Sequence, residues 1–328
     1  MRKNNLKFNL PIWLICSDRS GSNLLSKILD NHSKICSPSM SNIIRFSDKI
    51  SSSSLSITKK KLLINKLFDN KLGFWKLKNL KKISFSNNIL DYIYHIFQKE
   101  IKLNKKKFLL IKEIEIYKNY ETIKKISNHP RFIFLTRDPR DMALSWKKTP
   151  SLRGSVFRAT NLWLNNQKDF INLRKKLNKD QYINIRYEDL VKNKQVILKS
   201  ICNFLNIKFE KNITNFYKKK EIQKISKTQW LFKNLSKPIF KNSNKFLKEL
   251  SNNEIMFIEN KTSKFLKKYK YKFYKKKVSQ KKLKIIEKEI IAENDKLMNK
   301  DEYLKLPKKE RARSEKLSRI ISEVVNLN

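Results

Sequence analysis

The sequence predicts an α/β protein in which helices cover both faces of a central parallel sheet. Four short apolar runs have the length and the polar bounds of buried strands: 12–16, 108–111, 132–136 and 182–186. Segments with helical character lie between and after them, at 117–127, 156–177 and 188–205. Alternation of strand and helix is typical of a parallel sheet, whose ligands bind at the carboxyl ends of the strands.

The first strand leads through a polar loop into a helix. The run 12–16 is followed by Ser17-Asp18-Arg19-Ser20-Gly21-Ser22, after which apolar residues recur at helical spacing at Leu24, Leu25, Ile28 and Leu29. The third strand, 132–136, ends at Arg137-Asp138-Pro139-Arg140 and also runs directly into a helix. Both loops therefore follow the carboxyl end of a strand, where a ligand is expected.

Two regions lie outside this alternation. Residues 41–107 are rich in Ser and Lys and then loosely helical, which predicts a variable helical insertion in a domain spanning 8–275. From about residue 276 the chain is almost purely charged and helix-prone, with an interruption at Pro307. We expect 276–328 to form a separate, basic helical tail.

The chain is long enough and apolar enough to fold around a large core, with 328 residues of which 40% are hydrophobic. Lys and Arg outnumber Asp and Glu by 76 to 29, a balance that ordinarily indicates a polyanionic partner. However, the excess is spread along nearly the whole chain, and Asn, Ile, Phe and Tyr are also abundant while Gly falls to 3. These residues share A/T-rich codons, so drift of surface positions toward Lys explains the charge at least as well. We do not expect nucleic acid as a partner, although the basic tail could contact an acidic membrane surface.

Arginine is more informative than the total charge, because only 13 of the 76 basic residues are Arg. Under a drift toward Lys, an Arg persists best where its planar fork binds an anion through two parallel hydrogen bonds. Arg19, Arg137, Arg140 and Arg186 all fall in the segments that carry the functional prediction.

Cysteine usage and the N-terminus predict a soluble, cytoplasmic protein. The three Cys are far apart and form no C-x-x-C pair, which argues against a disulfide framework and against a zinc site. The apolar run 11–16 is too short for the core of a signal peptide, and no later stretch approaches the length of a membrane span. We expect no metal.

The loop at 19–24, Arg-Ser-Gly-Ser-Asn-Leu, is a candidate phosphate site. Consecutive backbone N–H groups and a helix N-terminus favour a bound phosphate, and Gly21 allows the backbone to close around it. A serine-rich turn that caps a helix is the alternative interpretation. The loop lacks the second glycine and the lysine of a Walker motif, so it suits a reaction without magnesium.

The segment 132–146 is the second candidate. Arg137 leaves the end of the strand, and Ser145 lies eight residues later, about two turns into the following helix. A strand-to-helix connection capped by Asp138, with arginines on the surface, is the alternative interpretation.

Together these segments resemble the sulfotransferases that use 3′-phosphoadenosine-5′-phosphosulfate (PAPS). The family's phosphosulfate loop reads [RK]-S-G-[TS]-[TN]-[LW], and its 3′-phosphate segment has R-D-P-R-D with a Ser eight residues after the first Arg. A third landmark, R-Y-E-D-L leading into a helix that ends F-L, is matched by Arg186 to Leu190 and by Phe204-Leu205. The resemblance covers about 8–275 and is closer to the bacterial and Golgi-type members, because Arg19 and Leu24 replace the Lys and Trp of the cytosolic phenol-type enzymes.

The resemblance implies a P-loop-like three-layer fold and PAPS as the sulfuryl donor. It assigns the loop to the 5′-phosphosulfate and two later residues to the 3′-phosphate. The implied donor-binding residues are Arg19, Ser20, Gly21, Ser22, Asn23, Leu24, Arg137 and Ser145. Tyr187, Glu188 and Asp189 are expected to be structural.

The catalytic base is where the chain departs from the family. Many relatives have a glutamate soon after the loop helix, whereas Ser37-Pro38-Ser39 stands here without a carboxylate. Glu113 is chosen instead, because it ends the second strand and should face the crevice. His32 and Glu115 are the substitutes. Arg19 is the second catalytic residue, since it can stabilise charge on the leaving phosphate.

The acceptor is not identified by the sequence, and a hydroxyl or amine of a carbohydrate, a lipid or a peptide would all serve. The competing interpretation is a protein of sulfotransferase fold that has lost its chemistry and binds nucleic acid or another polyanion. The retained phosphate loop argues against it. Three tryptophans, Trp146, Trp163 and Trp230, are expected in the core.

Overall fold

Five parallel strands form the centre of the structure, a computed structural model that describes residues 11–81, 83, 88–275, 278–298 and 301–327. The strands are β1 (Pro11–Cys16), β2 (Ile35–Cys36), β3 (Phe108–Ile111), β4 (Arg131–Thr136) and β5 (Tyr182–Arg186). Their order is β2-β3-β1-β4-β5, and each neighbouring pair is parallel. This confirms the predicted α/β class. The two-residue β2 was not predicted, because its apolar run is too short to stand out in the sequence.

Fourteen α-helices lie within the described residues, and they are numbered here in chain order. They are α1 (Ser22–Asp30), α2 (Ser47–Ser52), α3 (Ile57–Asp69), α4 (Ile89–Asn104), α5 (Tyr120–Ile126), α6 (Pro139–Lys147), α7 (Val156–Arg174), α8 (Tyr187–Lys192), α9 (Lys194–Phe204), α10 (Lys220–Thr228), α11 (Phe246–Glu249), α12 (Asn252–Lys268), α13 (Gln280–Met298) and α14 (Lys308–Val325). The single helix expected at 188–205 is two helices, because the backbone leaves helical geometry at Asn193. Within the described residues, every helix is too short or too polar to span a bilayer.

Alternation of side chains along the strands produces the layers. Trp13 and Ile15 of β1 point to a core formed with α3, α4 and α5, whereas Ile12 and Leu14 point to a second core formed with α1 and α9. A third core joins α6, which follows β4 in the chain, to α7, α12 and α13. The sheet is thus covered on both faces, and its carboxyl edge is left for a ligand.

The predicted insertion is helical but is not peripheral. Its helices α3 and α4 bury Leu67, Phe68 and Phe97 in the same core as Trp13 of β1. The described part of 41–107 therefore supplies one layer of the fold, in which α4 packs against β3.

The tail is helical, as expected, but the expectation that it is separate is wrong for the residues that the structure describes. Ile286 and Ile290 of α13 are buried against α7 and α12, and Ile320 and Val324 of α14 are buried in the core beneath α2 and α3. Burying an aliphatic side chain contributes about 1.5–3 kcal/mol. The sum for four such side chains is comparable to the whole stability of an ordinary domain, about 5–15 kcal/mol. The predicted boundary at residue 276 itself lies outside the described residues.

Candidate functional site

A cavity lies at the carboxyl ends of β1, β3 and β4. The loops after these strands meet there because the three strands are adjacent and parallel. The cavity is lined by Asp18, Arg19, Gly21, Ser22, Asn23, Leu24, Met40, Leu72, Lys112, Ile114, Arg137, Ser145, Ser151, Leu152, Tyr187, Leu231, Asn234, Leu235, Pro238, Ile239, Phe240 and Asn242. Seven of the eight residues predicted to bind the donor are among them; the eighth, Ser20, is buried beneath the loop.

The β1 loop has the geometry of an anion site. Gly21 is the N-cap of α1 with φ 89°, and no side chain caps the helix. The N–H groups of the first turn have no partner within a helix, so they remain available to an anion. This counts against the alternative of a turn whose serines cap the helix. The Oγ of Ser20, 1% exposed, has no hydrogen-bond partner among the described residues.

Gly21 also permits a close approach to the third landmark of the sequence. A Cβ at this position would lie 2.3 Å from Cδ2 of Tyr187, so any larger residue would collide with the ring. Tyr187 begins α8 directly after β5 and lines the cavity, where its ring lies 4.5 Å from Cζ of Arg137. Tyr187 was expected to be only structural. Its place at the end of a strand was a signal, in the sequence, that it reaches the site.

Arg19 joins the two predicted segments. Its Nε donates a hydrogen bond to Oγ of Ser145 over 3.1 Å, and its carbonyl oxygen accepts one from Nη1 of Arg137 over 2.9 Å. Arg19 has φ 61°, a left-handed conformation that costs a non-glycine residue about 1 kcal/mol and is characteristic of functional sites. Burial and, next, the charge of Arg137 lower the pKa of Arg19 to about 10. Two guanidinium groups held together in this way favour an anion between or beside them.

Arg137 is buried, not on the surface as the alternative interpretation of its segment required. It is 6% exposed, and its Nη2 donates to the carbonyl oxygen of Asn242 over 3.0 Å. Its Nε has no hydrogen-bond partner among the described residues. Asp138 does cap α6, accepting a hydrogen bond from the N–H of Arg140 over 2.9 Å. The cap therefore coexists with a buried guanidinium that lines the cavity.

The segment 238–246 closes the β4 side of the cavity. Asp141 holds it to α6, since its carboxylate accepts hydrogen bonds from the N–H groups of Asn244 over 2.6 Å and Phe246 over 3.2 Å. Pro238, Ile239, Phe240 and Asn242 line the cavity. The sequence assigned no role to Asp141, the last residue of the R-D-P-R-D motif, because its contact forms only when α6 and this distant segment pack together.

The second arginine of the R-D-P-R-D motif makes structural contacts outside the cavity. Arg140 is 1% exposed and binds both oxygens of Asp138 and also the Glu259 carboxylate. Glu188 accepts hydrogen bonds from the N–H of Asp138 over 3.0 Å and from the Tyr271 hydroxyl over 2.8 Å. Neither Arg140 nor Glu188 lines the cavity, in agreement with a structural role for Glu188.

The β3 side of the cavity is more apolar. Met40, Leu72 and Ile114 line it together with Lys112 and Asp18. The N–H of Leu72 donates to the carbonyl oxygen of Met40 over 3.1 Å, which ties the helical insertion to the segment that follows β2. Asp18 is the one carboxylate among the described residues that line the cavity. Burial raises the pKa of Asp18, while the charges of Lys112, Arg19 and Arg45 oppose this shift.

Glu113 does not line the cavity, so the geometry gives no support to its predicted role as the base. Its carboxylate is 2% exposed and accepts hydrogen bonds from the Ser41 hydroxyl over 2.7 Å and from the N–H of Arg45 over 2.8 Å. Its neighbours Lys112 and Ile114 face the cavity, so the alternation of an extended chain accounts for Glu113 pointing away. Its contacts fasten the start of the helical insertion to the end of β3.

The two substitutes for Glu113 are also engaged outside the cavity. His32 is 1% exposed and contacts the carbonyl oxygen of Lys208 through Nε2 and the N–H of Lys34 through Nδ1. Glu115 binds Arg45 and Lys118. Asp18, by contrast, lines the cavity, and sequence reasoning did not consider it as a base. Its position two residues after β1 and directly before Arg19 was the available signal.

Comparison with known proteins agrees with this architecture. The sulfotransferase domain of the Synechococcus PCC 7002 olefin synthase has a TM-score of 0.58 and 18% identity, over 82% of this chain and 97% of that domain. The sulfotransferase domain of the curacin biosynthetic pathway has a TM-score of 0.52 and 20% identity, over 81% of this chain and 99% of that domain. At these identities the likeness shows the fold alone. No curated protein sequence matches the chain.

The family itself is shown by sequence. The match extends from β1, through the phosphate loop, β4 and the R-Y-E-D-L landmark, to the residues after α9. It covers residues 11–211, more than half of the chain, so the protein belongs to the Sulfotransferase family.

Proposed function

We propose that the protein transfers a sulfuryl group from PAPS to a hydroxyl or amine of an acceptor. The observation that carries this proposal is the contact of Arg19 with both Ser145 and Arg137, which lie more than a hundred residues further along the chain. It brings the two segments that are predicted to bind anions into one cavity. A protein that binds polyanions through charge alone does not require this arrangement.

The residues present fit the donor. The first-turn N–H groups of α1 would hold its 5′-phosphosulfate, and Arg137 with Ser145 would hold its 3′-phosphate. The unpartnered Nε of Arg137 is the feature expected of a fork that completes its hydrogen bonds on a ligand. Asn23 and Leu24 continue the lining at the start of α1.

PAPS would supply the sulfuryl group to be transferred. Arg19 places a positive charge at the tip of the β1 loop, where it can stabilise negative charge that develops on a leaving phosphate. Its hydrogen bond to Ser145 fixes the guanidinium in advance, so that little reorganisation is needed during the reaction. A loss of Arg19 should therefore reduce turnover more than donor affinity.

For the base we propose Asp18 in place of Glu113. An alcohol acceptor must lose its proton during transfer, and a carboxylate with a raised pKa is suited to take it. Asp18 lines the cavity next to Arg19, whereas the Glu113 oxygens are engaged by the 41–45 segment. Lys112, which lies on the same side, can hold Asp18 ionised before the acceptor binds.

The acceptor would approach from the β3 side. β4 carries Arg137 on one side of the β1 loop, and β3 with the helical insertion lies on the other side. Met40, Leu72 and Ile114 offer an apolar surface there, so an acceptor whose reactive hydroxyl is attached to an apolar body matches this side best.

Calorimetric titration with adenosine 3′,5′-bisphosphate, without magnesium, tests the donor site. We expect micromolar binding and, with radiolabelled PAPS and a panel of alcohols and amines, transfer of the label. Heparin serves as the matched polyanion. Tight binding of heparin without binding of the bisphosphate would replace this proposal with the polyanion binder.

A further inference from the structure

Arg19 also contacts a tryptophan that the cavity lining does not include. Its Cζ lies 5.5 Å from the centre of the ring of Trp230, which is half-buried and was expected in the core. Nζ of Lys233 lies 4.5 Å from the centre of the same ring. The indole thus accepts two cations, and the attraction between a cation and an aromatic face offsets the repulsion that Arg19 experiences from Arg137.

Trp230 is itself held by a residue of α14. It is the first residue of the 3₁₀ helix Trp230–Ser236, and the N–H groups at the start of a helix lack partners within it. The N–H of Trp230 donates to Oε1 of Glu310 over 2.6 Å, a short hydrogen bond to a charged acceptor. A carboxylate at the N-terminus of a helix is also favoured by the helix dipole.

Glu310 is in turn fixed by the rest of α14. Ile320 and Val324 of this helix are buried in the main core, Lys66 pairs with Glu323 over 2.9 Å, and Nη1 of Arg313 lies 3.5 Å from the carbonyl oxygen of Asn70. The helix therefore has an anchored position relative to the sheet.

The same segment reaches the phosphate loop at a second point. Nδ2 of Asn23 lies 3.5 Å from the carbonyl oxygen of Leu231, and Leu231 and Leu235 line the cavity. The start of the 3₁₀ helix thus touches both ends of the loop, at Arg19 and at Asn23.

We infer that Trp230 and Glu310 are positioning residues for Arg19: α14 fixes the backbone of Trp230 through Glu310, and the indole fixes the guanidinium at the phosphosulfate end of the site. This inference rests on the proposed function. It gives the C-terminal helix a part in donor binding, where the sequence suggested only a detached basic tail.

The test compares two nucleotides by calorimetry. Adenosine 3′,5′-bisphosphate has the 5′-phosphate that Arg19 would meet, and adenosine 3′-monophosphate lacks it. Trp230→Ala should weaken the bisphosphate about tenfold and change the monophosphate by less than about twofold. Glu310→Ala should weaken the bisphosphate about fivefold with the same selectivity.

Conservative variants and a matched control separate positioning from folding. Trp230→Phe keeps an aromatic face, and Glu310→Gln keeps an oxygen that accepts the N–H, so both should bind within about threefold of the parent. Glu315→Ala changes an exposed carboxylate of the same helix and should leave both affinities unchanged.

Three outcomes would overturn the inference. In the first, the alanine variants bind the bisphosphate as the parent does. In the second, they weaken both nucleotides equally, which indicates a structural role only. In the third, the parent binds neither nucleotide, and then the proposed function fails as well; in the first two it stands.

Discussion

The two sides of the cavity are built in different ways. On the β4 side, Arg137 and Ser145 are joined to Arg19 by hydrogen bonds of 2.9 and 3.1 Å, and Asp141 fastens the segment that closes this side. On the β3 side, apolar side chains of the helical insertion and of its flanks line the cavity together with Asp18 and Lys112. The first side is held by hydrogen bonds between polar groups, and the second combines apolar side chains with one carboxylate among the described lining residues.

This difference explains which side the sequence reveals. An anion requires guanidinium and N–H groups in a fixed arrangement, so short motifs such as R-S-G-S-N-L encode it. An apolar surface accepts many residue types, and Met40, Leu72 and Ile114 are too widely spaced in the sequence to form a motif. The β4 side can therefore be recognised from short motifs, whereas the apolar β3 side cannot.

Replacing the base is the sharpest way to separate the two sides. We expect Asp18→Asn to lower turnover about a hundredfold or more, because an amide cannot take the acceptor's proton, and to leave bisphosphate binding intact. The measurement is transfer from radiolabelled PAPS to the alcohol that reacts best. Glu113→Gln is the matched control and should reduce turnover much less. The opposite result, an active Asp18→Asn and an inactive Glu113→Gln, would restore the base that the sequence predicted.

The pH dependence of the stability of Asp18→Asn and of the parent gives an independent check on the ionisation of Asp18. Burial raises the pKa of Asp18 above 3.8, its usual value, against the charges of Lys112, Arg19 and Arg45 and with that of Glu115. A raised carboxyl pKa means that ionisation is less favourable in the folded state, so stability is lost as the pH rises from about 4 through the folded pKa. Asp18→Asn should therefore melt at a higher temperature than the parent at pH 7 and at a similar temperature at pH 4.

Removing the fork on the β4 side should give the next largest effect. Arg137→Ala is expected to weaken the bisphosphate by about 1.5–3 kcal/mol, roughly 10- to 150-fold, because it deletes a charge-assisted contact with a dianionic phosphate. Adenosine 3′-monophosphate should lose as much, in contrast to the Trp230 variant. Arg153→Ala, an exposed arginine with no side-chain hydrogen bond among the described residues, is the control. Equal binding by Arg137→Ala and the parent would exclude this residue from the donor site.

The fold, and the meeting of the two motifs at one cavity, could be predicted because local patterns encode them. Four of the five strands, the helix after each motif and the residues around the loop follow from apolar periodicity and from residue type. Glu113 shows where such reasoning ends: its position at a strand end is readable, but the face to which it points depends on the register of β3. The burial of Ile286 and Val324 could not be predicted either, because the apolar stripe of each tail helix is narrow and lies in a lysine-rich sequence.

Gly21 belongs to the β1 loop, which lies between the two sides of the cavity. Replacing it tests whether the conformation of this loop is needed for binding or only for packing. Gly21→Ala adds a Cβ within 2.3 Å of the Tyr187 ring and imposes φ 89° on an L-residue, which costs roughly 1–2 kcal/mol before the clash is relieved. We expect the bisphosphate to bind about tenfold more weakly, because the loop must move. In Gly73→Ala, the control, the close contact of the new Cβ is with the flexible end of Ile225 at 2.8 Å, and Gln229 lies at an ordinary 3.7 Å. A melting temperature that falls while affinity is retained would show that Gly21 serves packing alone.

Ser145 should give the smallest effect, and it distinguishes a direct from an indirect role on the β4 side. Its hydroxyl accepts the Arg19 Nε–H over 3.1 Å and is also within the lining of the cavity. Ser145→Ala removes one hydrogen bond of about 0.5–1.5 kcal/mol, so bisphosphate affinity should fall about threefold to tenfold. If Ser145 holds the 3′-phosphate directly, adenosine 3′-monophosphate weakens by the same factor. If it acts through Arg19, only the bisphosphate weakens, as in Trp230→Ala.

The double variant Ser145→Ala, Trp230→Ala decides between these cases, because two changes that act through the same guanidinium should not be additive. Full additivity would place Ser145 on the phosphate and leave Trp230 as the residue that orients Arg19.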